Sequence, residues 1–134
     1  MARIGGGCLC GAVRYAVETD GAVVDFCHCT SCRRAGGAAA VAWMQVPPPA
    51  FAVVAGTARG YASSAGMTRF FCPACGSQLF MTDREGRSVG VTLGTLDDPE
   101  AVRPTAHGFD AERPSWLPVC DGLPRFDGAP PYDL

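Results

Sequence analysis

The chain has 134 residues, a net charge of −2 and a sequence pI near 5.6, so it lacks the basic field that draws nucleic-acid phosphates. Apolar residues make up 48%, enough for a packed core, and 17 glycines and 11 prolines spread along the chain favour many short strands and turns over a helical bundle. All eleven basic residues are arginine, which excludes a lysine Schiff base with a carbonyl substrate.

The predicted elements begin with Val13, Tyr15 and Val17, which alternate with Arg14, Ala16 and Glu18 as in a strand with one buried face. Val23–Phe26 is a second strand, followed by Thr30-Ser31, which can cap a short helical turn carrying Cys32, Arg33 and Arg34 until Gly36-Gly37 ends it. The apolar run Ala38–Val46 reads as a strand buried on both faces, broken by Pro47-Pro48-Pro49. Further strands are expected at Phe51–Val54, Thr68–Phe71, Gln78–Met81 and Val89–Leu93, with a turn at Asp97-Asp98-Pro99-Glu100. From Arg103 onward the proline-rich sequence reads as an irregular wrap anchored on the sheet by Trp116, Leu117 and Phe126. The fold class expected is all-β, built from small antiparallel sheets in one domain spanning 1–134.

No apolar run of signal-peptide length opens the sequence, and no stretch approaches the ~18 apolar residues of a membrane-spanning helix. A cytoplasmic location is therefore expected, with no membrane or nucleic-acid partner. In that compartment clustered cysteines bind metal more often than they pair as disulfides.

Seven of the eight cysteines are clustered, as Cys8-x-Cys10, Cys27-x-Cys29-x2-Cys32 and Cys72-x2-Cys75. Four plus three thiols match one closed zinc site and one that keeps a coordination position free. Cys72 and Cys75 are flanked by Arg69-Phe70-Phe71 and Leu79-Phe80, the two arms of a hairpin, so they read as a zinc knuckle rather than a redox pair. On an extended backbone Cys8 and Cys10 project from one face and supply half of a tetrahedral site. Cys27, Cys29 and Cys32 supply three thiols from one short segment. Cys72 and Cys75 supply the missing half of the Cys8 and Cys10 site most naturally, but spacing leaves the partition open, because Cys29 and Cys32 could instead join Cys72 and Cys75 in a zinc ribbon, leaving Cys8, Cys10 and Cys27 over. Redox chemistry at Cys29-x2-Cys32 is a third, remoter reading. His28 is the obvious alternative fourth ligand, although alternation points it away from its neighbours. His107 stands in a distant segment, where it lines the site or simply packs. Arg33 and Arg34 can steady a negatively charged site or grip a substrate carboxylate, and Cys120 reads as a small buried hydrophobe.

Gly7-Cys8-Leu9-Cys10-Gly11-Ala12-Val13-Arg14-Tyr15, Cys27-His28-Cys29-Thr30-Ser31-Cys32-Arg33-Arg34 and Phe71-Cys72-Pro73-Ala74-Cys75-Gly76-Ser77-Gln78-Leu79-Phe80 resemble the glutathione-dependent formaldehyde-activating enzyme family, which also includes centromere protein V. The ending, Trp116-Leu117 through Asp121-Gly122-Leu123-Pro124-Arg125-Phe126, is similar too. The resemblance implies an Mss4-like fold of small coiled antiparallel sheets stapled by zinc, with two zinc ions per chain. It assigns Cys8, Cys10, Cys72 and Cys75 to a structural zinc and Cys27, Cys29 and Cys32 to a catalytic one. The implied activity is that of a carbon–sulfur lyase acting on S-hydroxymethylglutathione, with a small-molecule thiol (glutathione or a similar one) and an aldehyde as partners. The competing expectation is a non-enzymatic zinc module that carries a thiol or mediates a protein interaction.

Overall fold

Tyr15 and Val17 are buried while Arg14, Ala16 and Glu18 between them are half-buried, the alternation that the sequence carries. The computed structural model describes residues 2–131; Met1 and residues 132–134, the two ends of the expected domain, lie outside the described residues. Ten strands and one α-helix follow in chain order: β1 (Arg3–Gly7), β2 (Arg14–Glu18), β3 (Val23–Cys27), α1 (Thr30–Gly36), β4 (Val41–Val46), β5 (Phe51–Ala55), β6 (Arg59–Ser64), β7 (Met67–Phe71), β8 (Gln78–Asp83), β9 (Val89–Thr92) and β10 (His107–Gly108). The protein is mostly β, as expected. No helix among the described residues is long and apolar enough to cross a membrane.

The strands form a three-stranded sheet, β1-β2-β5, and a seven-stranded sheet, β10-β3-β4-β9-β8-β7-β6. Neighbours pair antiparallel except β10, which runs parallel to β3. Register gives the large sheet two different faces. Val24, Met44, Val91, Phe80 and Phe70 lie opposite one another from strand to strand and turn towards the small sheet. The row one residue away runs through Gln45, Gly90, Met81 and Arg69 on the other face. Tyr15, Phe51, Phe80 and Phe70 pack ring to ring across the two sheets, with centroids 4.6–5.4 Å apart. Burying such a side chain contributes about 1.5–3 kcal/mol, and aromatic contact adds to it.

Two strands fall where propensity alone gives no signal. β1 is the glycine run Arg3–Gly7, and a Cβ on Gly6 would lie 2.3 Å from the Tyr15 ring and hydroxyl. Glycine there lets the strand pass directly over the tyrosine. β6 is polar and mostly exposed, an edge strand paired only with β7. β4 starts at Val41, three residues later than the apolar run suggests. The wrap after Arg103 is irregular, as expected, but its anchoring differs. Trp116 is 72% exposed. Backbone bonds hold the segment instead: His107 N–H to Pro124 O, Phe126 N–H to His107 O, Phe109 N–H to Gly128 O and Asp110 N–H to Phe126 O, each at 2.9 Å. Cys120 is likewise exposed rather than buried, since it rides on this peripheral segment.

Candidate metal centres

The Sγ atoms of Cys8, Cys10, Cys72 and Cys75 all lie within 4.8 Å of one another. Both halves of the cluster are tight turns ending in glycine. Gly11 N–H bonds to Cys8 O at 3.1 Å, Gly76 N–H bonds to Cys72 O at 2.8 Å, and both glycines have φ of +81°. Cys8 and Cys10 therefore sit on a turn beyond β1, not on the extended strand that spacing suggests. Ser77 locks the turns together, accepting from Leu9 N–H at 2.9 Å and lying 3.3 Å from Cys75 Sγ. This hydroxyl holds the Cys75 thiol down at about 5. Cys8–Cys10 and Cys10–Cys72 sulfur separations are 3.6 and 3.8 Å. Metal–sulfur bonds of about 2.3 Å in a tetrahedron give sulfur–sulfur edges of about 3.8 Å, whereas a disulfide needs about 2.0 Å. Four thiols within 4.8 Å of one another, two of their separations at the tetrahedral edge length, fit zinc.

Cys27, Cys29 and Cys32 form a second cluster whose sulfurs also lie within 4.8 Å of one another. Cys27 ends β3, Cys29 is the N-cap of α1 and Cys32 lies in its first turn. The cap here is a thiol rather than Thr30 or Ser31: Cys29 Sγ accepts from Cys32 N–H at 3.3 Å. Gly37, left-handed, ends the helix as expected. Hydrogen bonds from Cys27 and Cys32 pull the Cys29 thiol down, and the bond to Cys29 pushes Cys27 up. Three thiols this close oppose one another's ionisation, and a dication among them would let all three become thiolates. The donor set fits an open zinc site.

This cluster lines a cavity of about 470 Å³, whose walls include Asp25, Trp43, Arg69, Phe109 and Glu112. Asp25 is 5% exposed, and burial pushes its carboxyl up to about 6. Arg69 is buried on β7; its Nη2 donates to Cys32 Sγ at 3.7 Å and its Nε to Ser63 Oγ at 3.2 Å. Glu112 accepts from Thr30 N–H and from the Thr30 hydroxyl, both at 3.0 Å, fixing the start of α1 from a segment eighty-two residues away. Phe109 is the one non-glycine residue with positive φ (53°) among the described residues. Its left-handed backbone costs about 1–2 kcal/mol, offset by its own N–H bond to Gly128 O and by the bond of the next residue, Asp110 N–H to Phe126 O.

The two histidines meet each other rather than the thiols. His28 Nε2 lies 2.9 Å from His107 Nδ1, and His107 Nε2 lies 2.7 Å from Asp121 Oδ2. A carboxylate only accepts, so in the neutral chain His107 Nε2–H donates to Asp121 and His28 Nε2–H donates to His107. Burial holds the His28 imidazole below its ordinary pKa. Neither Arg33, half-buried, nor Arg34, exposed, lines the cavity. Arg69 takes the place beside the thiols that spacing suggested for them. Sequence reasoning also missed Asp25, Trp43 and Glu112. The available signal was a charged residue at an inward position of a strand, but alternation does not say which thiols it meets.

A family model described as glutathione-dependent formaldehyde-activating enzyme matches residues 3–112. The crystal structure of a Rhodobacter sphaeroides protein superposes with a TM-score of 0.61 at 24% identity, covering 92% of this chain and 100% of that one. This likeness is one of fold. No curated protein matches the sequence.

Proposed function

The chain belongs to the glutathione-dependent formaldehyde-activating enzyme family, and on that premise we propose that it is a zinc-dependent carbon–sulfur lyase. It forms or cleaves thiol–aldehyde adducts of the S-hydroxymethylglutathione type. Cys8, Cys10, Cys72 and Cys75 hold a structural zinc; Cys27, Cys29 and Cys32 hold a catalytic one. The same reading takes 1–134 as one zinc-binding domain working in the cytoplasm. A zinc ion at the three-thiol cluster would favour the thiolate form of a bound thiol and offer Lewis acidity to a carbonyl.

The reading is supported above all by one observation: three thiols, with no fourth ligand grouped with them among the described residues, line a cavity of about 470 Å³. That volume falls in the range of small-molecule sites and far exceeds what formaldehyde fills, so the thiol partner is what the walls enclose. The N–H of Arg69 on Cys32 Sγ offsets negative charge at the thiols and orients that ligand. Glu112 keeps α1, and with it Cys32, in place against the end of β3. Addition joins the thiol sulfur to the carbonyl carbon and moves the thiol proton to the carbonyl oxygen, so no oxidant or reductant is needed.

Exchange NMR on glutathione and formaldehyde tests the reading, with Cys29→Ser as control. Wild type holding two zinc ions should accelerate adduct exchange and the variant should not. A fully loaded wild type without acceleration would leave the thiol-carrier reading in its place.

A further inference from the structure

Besides the thiols, the wall of the three-thiol cavity carries the charged residues Asp25, Arg69 and Glu112. Glu112 accepts from Thr30, and Arg69 gives Nε to Ser63 Oγ and Nη2 to Cys32 Sγ. The remaining Arg69 nitrogen, Nη1, is sealed from water, so this wall offers a bound molecule no cation. Arg84 and Arg87 line a neighbouring cavity instead.

Asp25 is engaged by nothing. It is 5% exposed, and among the described residues no cation pairs with it and burial alone acts on its carboxyl. Trp43 stands directly opposite on β4, yet its indole N–H has no acceptor, so it does not donate to Asp25. Nor is Asp25 grouped with the three thiols as a metal ligand. Its oxygens stay open to the cavity, unlike the sealed nitrogens of Trp43 and Arg69. Buried charges in proteins are paired or bound to a metal, because an unpartnered one destabilises the fold. Here the protein supplies no partner, and the opening onto the cavity lets one enter.

β3 places this carboxylate with respect to the thiols. Asp25 and Cys27 are two residues apart on one strand, so they project from the same face about 6–7 Å apart. A two-carbon chain suits that spacing, with sulfur among the thiols at one end and a charged group against Asp25 at the other. The sign of that group follows from the wall. Asp25 and Glu112 are acidic, the one arginine is spent, and three thiolates around a dication would add about −1.

We propose that Asp25 is the anchor for an amino group of the thiol substrate, which makes that substrate a cationic aminothiol with two carbons between sulfur and nitrogen. The inference rests on the proposed function in one respect, that the substrate's sulfur goes to the three-thiol cluster, and it narrows the thiol that function leaves open. Asp25 recognises the ammonium by charge and by accepting its N–H bonds, and the same carboxylate repels a thiol whose far end is an acid.

The test titrates cobalt-loaded full chain with three short thiols of matched length: cysteamine (cationic), propanethiol (neutral) and mercaptoacetate (anionic). The sulfur-to-metal charge-transfer band reports each thiol's arrival without turnover, and metal content is measured after every titration. Wild type should bind cysteamine about 10–100-fold more tightly than propanethiol and mercaptoacetate most weakly. Asp25→Asn, which keeps the shape and removes the charge, should bring the three within a few-fold of one another. A carboxylate with a merely structural role would shift all three alike, which overturns the proposal. A preference for cysteamine that survives in Asp25→Asn overturns it as well, since the metal itself then takes the amine. Equal binding of the three thiols by wild type removes the amine site and leaves the lyase reading intact. The expected order in a wild type that fails the exchange NMR above sinks the lyase reading and keeps the amine site.

Discussion

The two thiol clusters use the same chemistry in opposite surroundings. Cys8, Cys10, Cys72 and Cys75 sit on two turns that each close on a cysteine carbonyl and end in glycines of equal φ, so local backbone turns, joined by the Ser77 hydroxyl, arrange four donors. Cys27, Cys29 and Cys32 come from a strand end, a helix cap and a helical turn, and their arrangement is held from outside by Arg69 and Glu112. The first cluster closes on itself and joins β1 to the β7–β8 hairpin. The second leaves one direction free and turns it to a cavity. On the function proposed above, what separates a staple from a reactive centre is therefore the number of donors and the identity of the residues behind them.

Substitution in each cluster should separate these roles most sharply. Cys72→Ser should abolish the cooperative melt at physiological temperature. A structural zinc supplies about 10–16 kcal/mol of apparent binding energy, comparable with the whole stability of a small domain. Cys29→Ser should leave the melt within a few degrees, lose one zinc of two and cut adduct exchange by about 10²-fold or more. Calorimetry with metal analysis reads both, and equal melting losses in the two variants would erase the distinction.

Smaller effects probe the surroundings of the open cluster. Asp25 has a folded pKa of about 6 against an ordinary 3.8, so folding favours its protonated form and ionisation in the folded state costs stability. That cost is absent well below pH 4, grows as pH rises towards 6 and is level above it. Asp25→Asn should therefore stabilise the protein by about 1–3 kcal/mol at pH 7, by about half as much at pH 5 and by little below pH 4, in urea midpoints taken across that range. A gain that is flat with pH would trace to something other than the carboxylate. Glu112→Ala, which removes both bonds to Thr30, should cost about 0.5–1.5 kcal/mol. Its sign in the comparison is specific: zinc affinity should fall at the three-thiol cluster and hold at the four-thiol one.

The same contrast governs what could be read from the chain. Cys72, Cys75 and Gly76 between two apolar arms are local, and the hairpin with its knuckle was legible because every determinant lies within a dozen residues. Val13, Tyr15 and Val17 announced their strand by alternation alone. β1 was hidden because a glycine run lacks propensity, and only the Tyr15 ring against which Gly6 packs makes that bareness useful. Arg69 was hidden for a different reason. Its meaning comes from the face of the sheet it shares with Met81, Gly90 and Gln45, from which its side chain reaches the Trp43 ring and Cys32 Sγ, and no spacing in the sequence encodes those contacts. Trp116 and Cys120 misled because residue type predicts burial only on average, and the segment carrying them is held by its backbone.

The segment that pairs residues 107–110 with 124–128 also imposes a timetable on synthesis. All four thiols of the staple have been made once residue 75 has been added, so that cluster can gather while the chain is still growing. The cavity cannot be walled until Ala129 and Pro130 are in place, and His107 lacks its carboxylate partner until Asp121 follows. A nascent chain thus holds Cys27, Cys29 and Cys32 on an unfinished surface from residue 32 until residue 130 has been added, long after the four-thiol set is complete at residue 75. Oxidation or capture of the wrong metal during that interval would strike the open cluster and spare the closed one.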